Sequence, residues 1–163
     1  MDASRPGGLR FAGFVLAVAG ATLLGVGAVQ TWVTVGVGGF QTNTNTAIPG
    51  IDLTDGRLAL GCAVALLLGT LAGRLVRNRA VRMGLGSVAI AAGVVGAVVT
   101  GAFLQNGIDR PLVLDVLAIP ANQWEELGAF REYGVGPYLA LGGGVMGFFS
   151  GILTLAWAQR LSR

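Results

Sequence analysis

The sequence predicts an all-α integral membrane protein: a four-transmembrane-helix bundle with both termini on the cytoplasmic side. Three observations carry that expectation. Four apolar stretches, Phe11–Trp32, Leu58–Gly73, Met83–Leu104 and Val135–Ala158, contain no charged residue. Each approaches the roughly 20 helical residues needed to cross a hydrocarbon core about 30 Å thick. The segments between them alternate in charge sign, and 53% of the 163 residues are hydrophobic. The spans are expected at about 11–33, 57–76, 82–104 and 135–158, with outer loops 34–56 and 105–134, in one domain covering 1–163.

Orientation follows from the arginines, which are the only basic residues in the chain. Arg5, Arg10, Arg74, Arg77, Arg79, Arg82, Arg160 and Arg163 fall on one side, with Asp2 as the single acid there. The other side carries Asp52, Asp55, Asp109, Asp115, Glu125, Glu126 and Glu132 against Arg57, Arg110 and Arg131. Short arginine-rich segments stay cytoplasmic, which assigns the acidic loops to the outside of the plasma membrane. The net charge of +3 then reflects topology, a basic collar beside anionic membrane lipids, and no nucleic-acid partner is expected. The first apolar run of 22 residues exceeds the usual 7–15-residue core of a signal peptide, so an uncleaved first span is expected.

Span one is expected to end at Trp32, a residue type that favours the membrane boundary. The following Thr31–Val37 run is rich in β-branched residues and leads to Gly38–Gly39, which predicts a small β-hairpin in the first outer loop. Asp55 is positioned to N-cap span two. A short arginine-rich link forces spans two and three into an antiparallel hairpin. In the second outer loop, Asn122 followed by Glu125 resembles a capping box, predicting a short interfacial helix over about Ala121–Tyr133. Pro137 fits the first turn of span four, where its missing N–H is harmless.

Chemistry is sparse. No Asp, Glu, Lys, Arg or His lies inside the four apolar stretches, and such residues are the usual marks of proton relays and ion pathways. The chain has no histidine and a single cysteine, Cys62. A disulfide within the chain is therefore impossible, and the usual zinc and iron–sulfur ligand sets are missing. Serine and threonine lack an imidazole or amine base. No catalytic residue, metal or cofactor is expected, and the protein is read as a non-enzyme.

Glycine is the other feature, with 28 residues. Gly143, Gly147 and Gly151 recur every four residues in span four, and Gly69 and Gly73 do so in span two. In span three Gly96 and Gly101 belong to a small-residue run with Ala92 and Ala97. Small residues four apart make a strip on which a second helix can approach closely. That strip can serve packing within the bundle, or docking of a partner or second copy. The outer loops offer further contact candidates: Trp32, the turn of Asp52, Asp55 and Arg57, and Trp124, Glu125 and Glu126. The expected role is an accessory, assembly or stabilising subunit of a larger membrane complex. The alternative is a small transporter or oligomeric channel for a neutral substrate.

The Trp32-Val33-Thr34-Val35 strand, the Gly50-Ile51-Asp52-Leu53 turn and the Arg74–Arg82 link before a glycine-rich span resemble uncharacterised actinobacterial four-span "tryptophan-associated" membrane proteins. That resemblance implies a four-span fold and no activity. A long first outer loop with strand character, headed by tryptophan, is also similar to claudin-like proteins, whose paired loop cysteines this chain lacks.

Overall fold

The computed structural model describes residues 6–39, 42–76, 78–107 and 129–160. Four helices, α1 (Pro6–Val29), α2 (Thr54–Leu75), α3 (Arg79–Asn106) and α4 (Gly136–Arg160), are each long and apolar enough to cross a membrane. They form a ring in which α1 touches α2 and α4, and α3 touches α2 and α4, with little contact across either diagonal. All ring neighbours run antiparallel. Outward-facing side chains are mostly apolar, with Leu68 59% and Val98 62% exposed. Water would penalise such a surface, whereas lipid tails solvate it.

Buried positions repeat with alternating steps of three and four. Ala17, Ala21, Leu24 and Ala28 do so in α1, and Ala59, Ala63 and Leu66 in α2. A 3.5-residue period is the mark of left-handed, nearly parallel helix packing. Glycine adapts this pattern to very close approach. Gly13, Gly20 and Gly27 lie seven apart in α1 and meet Leu153, Gly143 and Ala140 of α4. Gly86 and Gly93 in α3 likewise meet Leu155 and Phe148. A Cβ at Gly27 would stand 2.6 Å from the Ala140 nitrogen, and one at Gly143 would stand 2.5 Å from the Leu24 nitrogen. These helices touch backbone to backbone, a separation at which Cα–H···O contacts and dispersion replace the hydrophobic effect that lipid cannot supply.

A three-stranded antiparallel sheet, in the order β2–β1–β3, closes one end of the bundle. Its strands are β1 (Thr31–Gly39), β2 (Thr42–Pro49) and β3 (Ala129–Tyr133). Val33 pairs with Ile48 on one side and Tyr133 on the other. Val33, Val35 and Ile48 are buried, while Asn45, Ala47 and Glu132, at the alternate positions, are exposed. The sheet thus presents one apolar face to the helices, as strand periodicity requires.

Three expectations change here. α1 stops at Val29, and Trp32 belongs to β1 rather than to the span. The register slips between Thr31 and Val33, so Trp32 sits at a bulge. An extra residue there lets Trp32 and Val33, adjacent in sequence, both face inward at 0% exposure. The second correction concerns Ala129–Tyr133, which is a strand and not the end of an interfacial helix. The open edge of β1 supplies backbone partners that a surface helix would forgo. The rest of the expected helix, residues 121–128, lies outside the described residues. Third, Leu53 occupies the N-cap of α2 without a side-chain cap, and Asp55 stands in the first turn. A short 3₁₀ turn, Gly50–Asp52, consumes the residues before it, so the carboxylate complements the helix dipole instead.

Candidate functional site: an arginine and aromatic cleft

The four helix ends opposite the sheet enclose a small, open cleft of about 50 Å³. Arg10 comes from the first turns of α1, Arg74 from the last turn of α2, Arg82 from the first turn of α3 and Trp157 from the last turn of α4. Antiparallel neighbours bring the four termini to one level. Asn78 N-caps α3 by accepting from the Ala80 N–H at 2.9 Å, which fixes where Arg82 begins its turn. The Arg82 Nε donates to the Val76 carbonyl at 2.7 Å, tying the side chain to the link before its own helix.

Aromatic rings hold the guanidiniums. Arg74 lies 3.6 Å from the centroid of Phe14, while Arg10 and Arg82 lie 5.2 and 5.0 Å from that of Trp157. All three are within cation–π range. Gly69, Gly73, Thr70, Leu85 and Ala89 line the inner part of the cleft. Two of the glycines read as packing residues therefore have a different place. A Cβ at Gly69 would meet no atom within 4 Å, and one at Gly73 would only touch Leu85 at 3.7 Å.

The remaining glycine candidates divide. Gly96, Gly143, Gly147 and Gly151 all pack inside the bundle, against Leu24, the α1 backbone, Leu66 and Ile90 respectively. They do not form one strip, because Gly143 faces α1 and Gly151 faces α3. Gly101 faces open space. Sequence reasoning passed over Gly20, Gly27, Gly86, Gly93 and Gly144, whose spacing of seven was the available signal.

At the sheet end, Trp32 is wholly buried and cannot be presented to a partner. Asp52 and Arg57 are exposed, and the Arg57 Nε donates to the Ile51 carbonyl at 2.8 Å. That bond holds the turn shut. Trp124, Glu125 and Glu126 lie outside the described residues.

Five hydroxyls in the spans are spent locally. Thr22, Thr70, Ser87, Thr100 and Thr154 each donate to a carbonyl four residues earlier, at 2.6–3.1 Å. Thr100 is fully buried and donates to the Gly96 carbonyl, which its own helix already engages. Thr100→Val should therefore shift the thermal midpoint in detergent by less than about 1 kcal/mol equivalent. Among the described residues, no three side chains of metal-ligating type cluster together. The chain matches no family model and no curated protein.

Proposed function

We propose that the protein is a non-enzymatic integral membrane protein of the plasma membrane that acts by contact, as an accessory, assembly or stabilising subunit of a membrane complex. The observation that carries this reading is a filled bundle axis. Leu24 and Leu66 are 0% exposed at mid-bundle, and Trp32, Phe103 and Ile48 close the sheet end at 2% exposure or less. With the Thr70, Thr100 and Thr154 hydroxyls bonded to their own helices, the described residues along that axis give a solute few successive polar contacts, which disfavours the transport alternative.

In this reading both termini and the arginine cleft face the cytoplasm, and the sheet faces outward. The contact surface surrounds the starts of α2 and α4, where Ile51 is 39%, Val135 54% and Tyr138 56% exposed, beside exposed Asp52 and Arg57. Affinity purification from native membranes in mild detergent, with quantitative mass spectrometry, tests it. A stoichiometric membrane partner should co-purify and be lost from a Val135→Glu/Tyr138→Glu variant that still elutes as a folded protein. A bare monomer, with no partner recovered by in-cell crosslinking, would overturn the reading. Sidedness is checked separately with Asn45→Cys in a Cys62→Ser background, which should react with an impermeant maleimide on intact cells.

A further inference from the structure

We infer that the arginine cleft is a binding site for a phosphate-bearing anion, the headgroup of an acidic phospholipid or a soluble phosphate ester of the same chemistry. Arg10 and Arg82 stand over the same Trp157 ring, 5.2 and 5.0 Å from its centroid, and Arg74 lines the same cleft from α2. Three guanidiniums from three helices are thus gathered where like charges repel. The described carboxylates, Asp52, Asp55 and Glu132, all belong to the sheet end. Asp55 and Arg74 lie 19 residues apart along α2, a separation of about 29 Å at 1.5 Å per residue. No described carboxylate neutralises the cluster.

The donor set selects the ligand. Thr70 and Thr154 line the cleft but direct their hydroxyl protons to Leu66 and Ser150. Guanidinium N–H groups are the charged donors the lining brings to a ligand, beside the Trp157 indole, and their planar fork matches phosphate oxygens. Stacking on Phe14 and Trp157 keeps these side chains in place before a ligand arrives, which reduces the ordering cost of binding. Position selects it too. Arg10, Arg74 and Arg82 mark the ends of their spans, the level of lipid headgroups, and the lining descends about one turn to Thr70 and Phe14. The inner wall is apolar, made by Leu85, Ala89 and the bare backbone of Gly69 and Gly73. Phosphate above and an apolar body below describe an anionic amphiphile.

Native mass spectrometry of the full chain in detergent, with phosphatidylglycerol or phosphatidylcholine of matched acyl chains, tests the site. Glycerol 3-phosphate serves as the soluble competitor. The wild type should retain phosphatidylglycerol in preference, and Arg74→Gln or Arg82→Gln should each lower that preference about fivefold. Gly69→Leu keeps every charge and fills the cleft, and it should abolish the preference as well. Arg57→Gln, a charge loss at the sheet end, should leave it intact. Displacement by millimolar glycerol 3-phosphate assigns the site to soluble esters, whereas resistance assigns it to lipid; both uphold an anion site. Equal retention of the two lipids by the wild type, with no glycerol 3-phosphate bound, would overturn the inference. So would a Gly69→Leu variant that keeps the full preference, or an Arg57→Gln variant that loses as much as the cleft variants.

Discussion

Replacing Trp32 with alanine should destabilise the protein by roughly 3–5 kcal/mol and release the sheet from the bundle. The indole is fully buried and touches α1, α3, α4 and the 3₁₀ turn. Its Nε1 donates to the Gly27 carbonyl at 2.8 Å, one of the last carbonyls of α1, which has no partner within the helix. Its ring meets Phe103 of α3 edge-on, centroids 4.7 Å apart at 62°, and Phe103 meets Tyr133 of β3 at 5.9 Å. Gly50 and Gly136 are bare so that the 3₁₀ turn and α4 can close on the indole. Trp32→Phe keeps most of the ring and leaves the Gly27 carbonyl without its donor, so it should cost about 1–3 kcal/mol. Thermal midpoints from size-exclusion chromatography of a fluorescent fusion would rank the two. Limited proteolysis should cut within β2 first in the alanine variant. An alanine variant that melts with the wild type would show that the sheet is held by its strand pairing alone.

The spans were legible because lipid imposes a one-dimensional rule: a helix facing hydrocarbon carries no charge over its crossing length. Their ends were less legible. Trp32 reads as a boundary residue when only its residue type is considered, yet the bulge that turns it inward depends on Ile48 and Pro49 across the strand pair. The β1–β2 pairing is local, and its β-branched run and glycines are visible in the sequence. Strand β3 is not local: it pairs with β1 across nearly a hundred residues, and no signal within Ala129–Tyr133 outweighs the capping-box pattern before it. The arginine cleft escaped for a similar reason. Arg10, Arg74, Arg82 and Trp157 are each unremarkable at a span end, and only the ring order of the helices brings them together.

The glycines show how a correct residue type can be read at the wrong period. A four-residue spacing describes a right-handed crossing, whereas left-handed antiparallel neighbours repeat their contacts every seven residues. On α4, Gly143 and Gly144 are consecutive and serve opposite neighbours, α1 and α3. The small residues that matter are therefore those whose missing Cβ would strike backbone.

Gly93→Ala is the sharpest test of that distinction. A Cβ there would overlap the Phe148 nitrogen and stand 2.8 Å from both the Gly144 oxygen and the Gly147 carbonyl carbon. All three are backbone atoms, so no rotamer change relieves the contact and α3 must move away from α4. The expected cost is about 3 kcal/mol, the upper part of the overpacking range, because separation also forfeits the contacts along the rest of the seam. Gly101→Ala lies two turns along the same helix and meets nothing within 4 Å. It should be neutral, or stabilising by up to about 1 kcal/mol through helix propensity. Gly144→Ala alone should resemble Gly93→Ala, since its Cβ would stand 2.6 Å from the Ala97 nitrogen. The Gly93→Ala/Gly144→Ala pair should cost less than the sum, because the helices separate once for both. Thermal midpoints of the four variants in one detergent decide it. Equal midpoints for Gly93→Ala and Gly101→Ala would mean that α3 and α4 are not in backbone contact, and additive losses would mean that the two glycines do not share one seam.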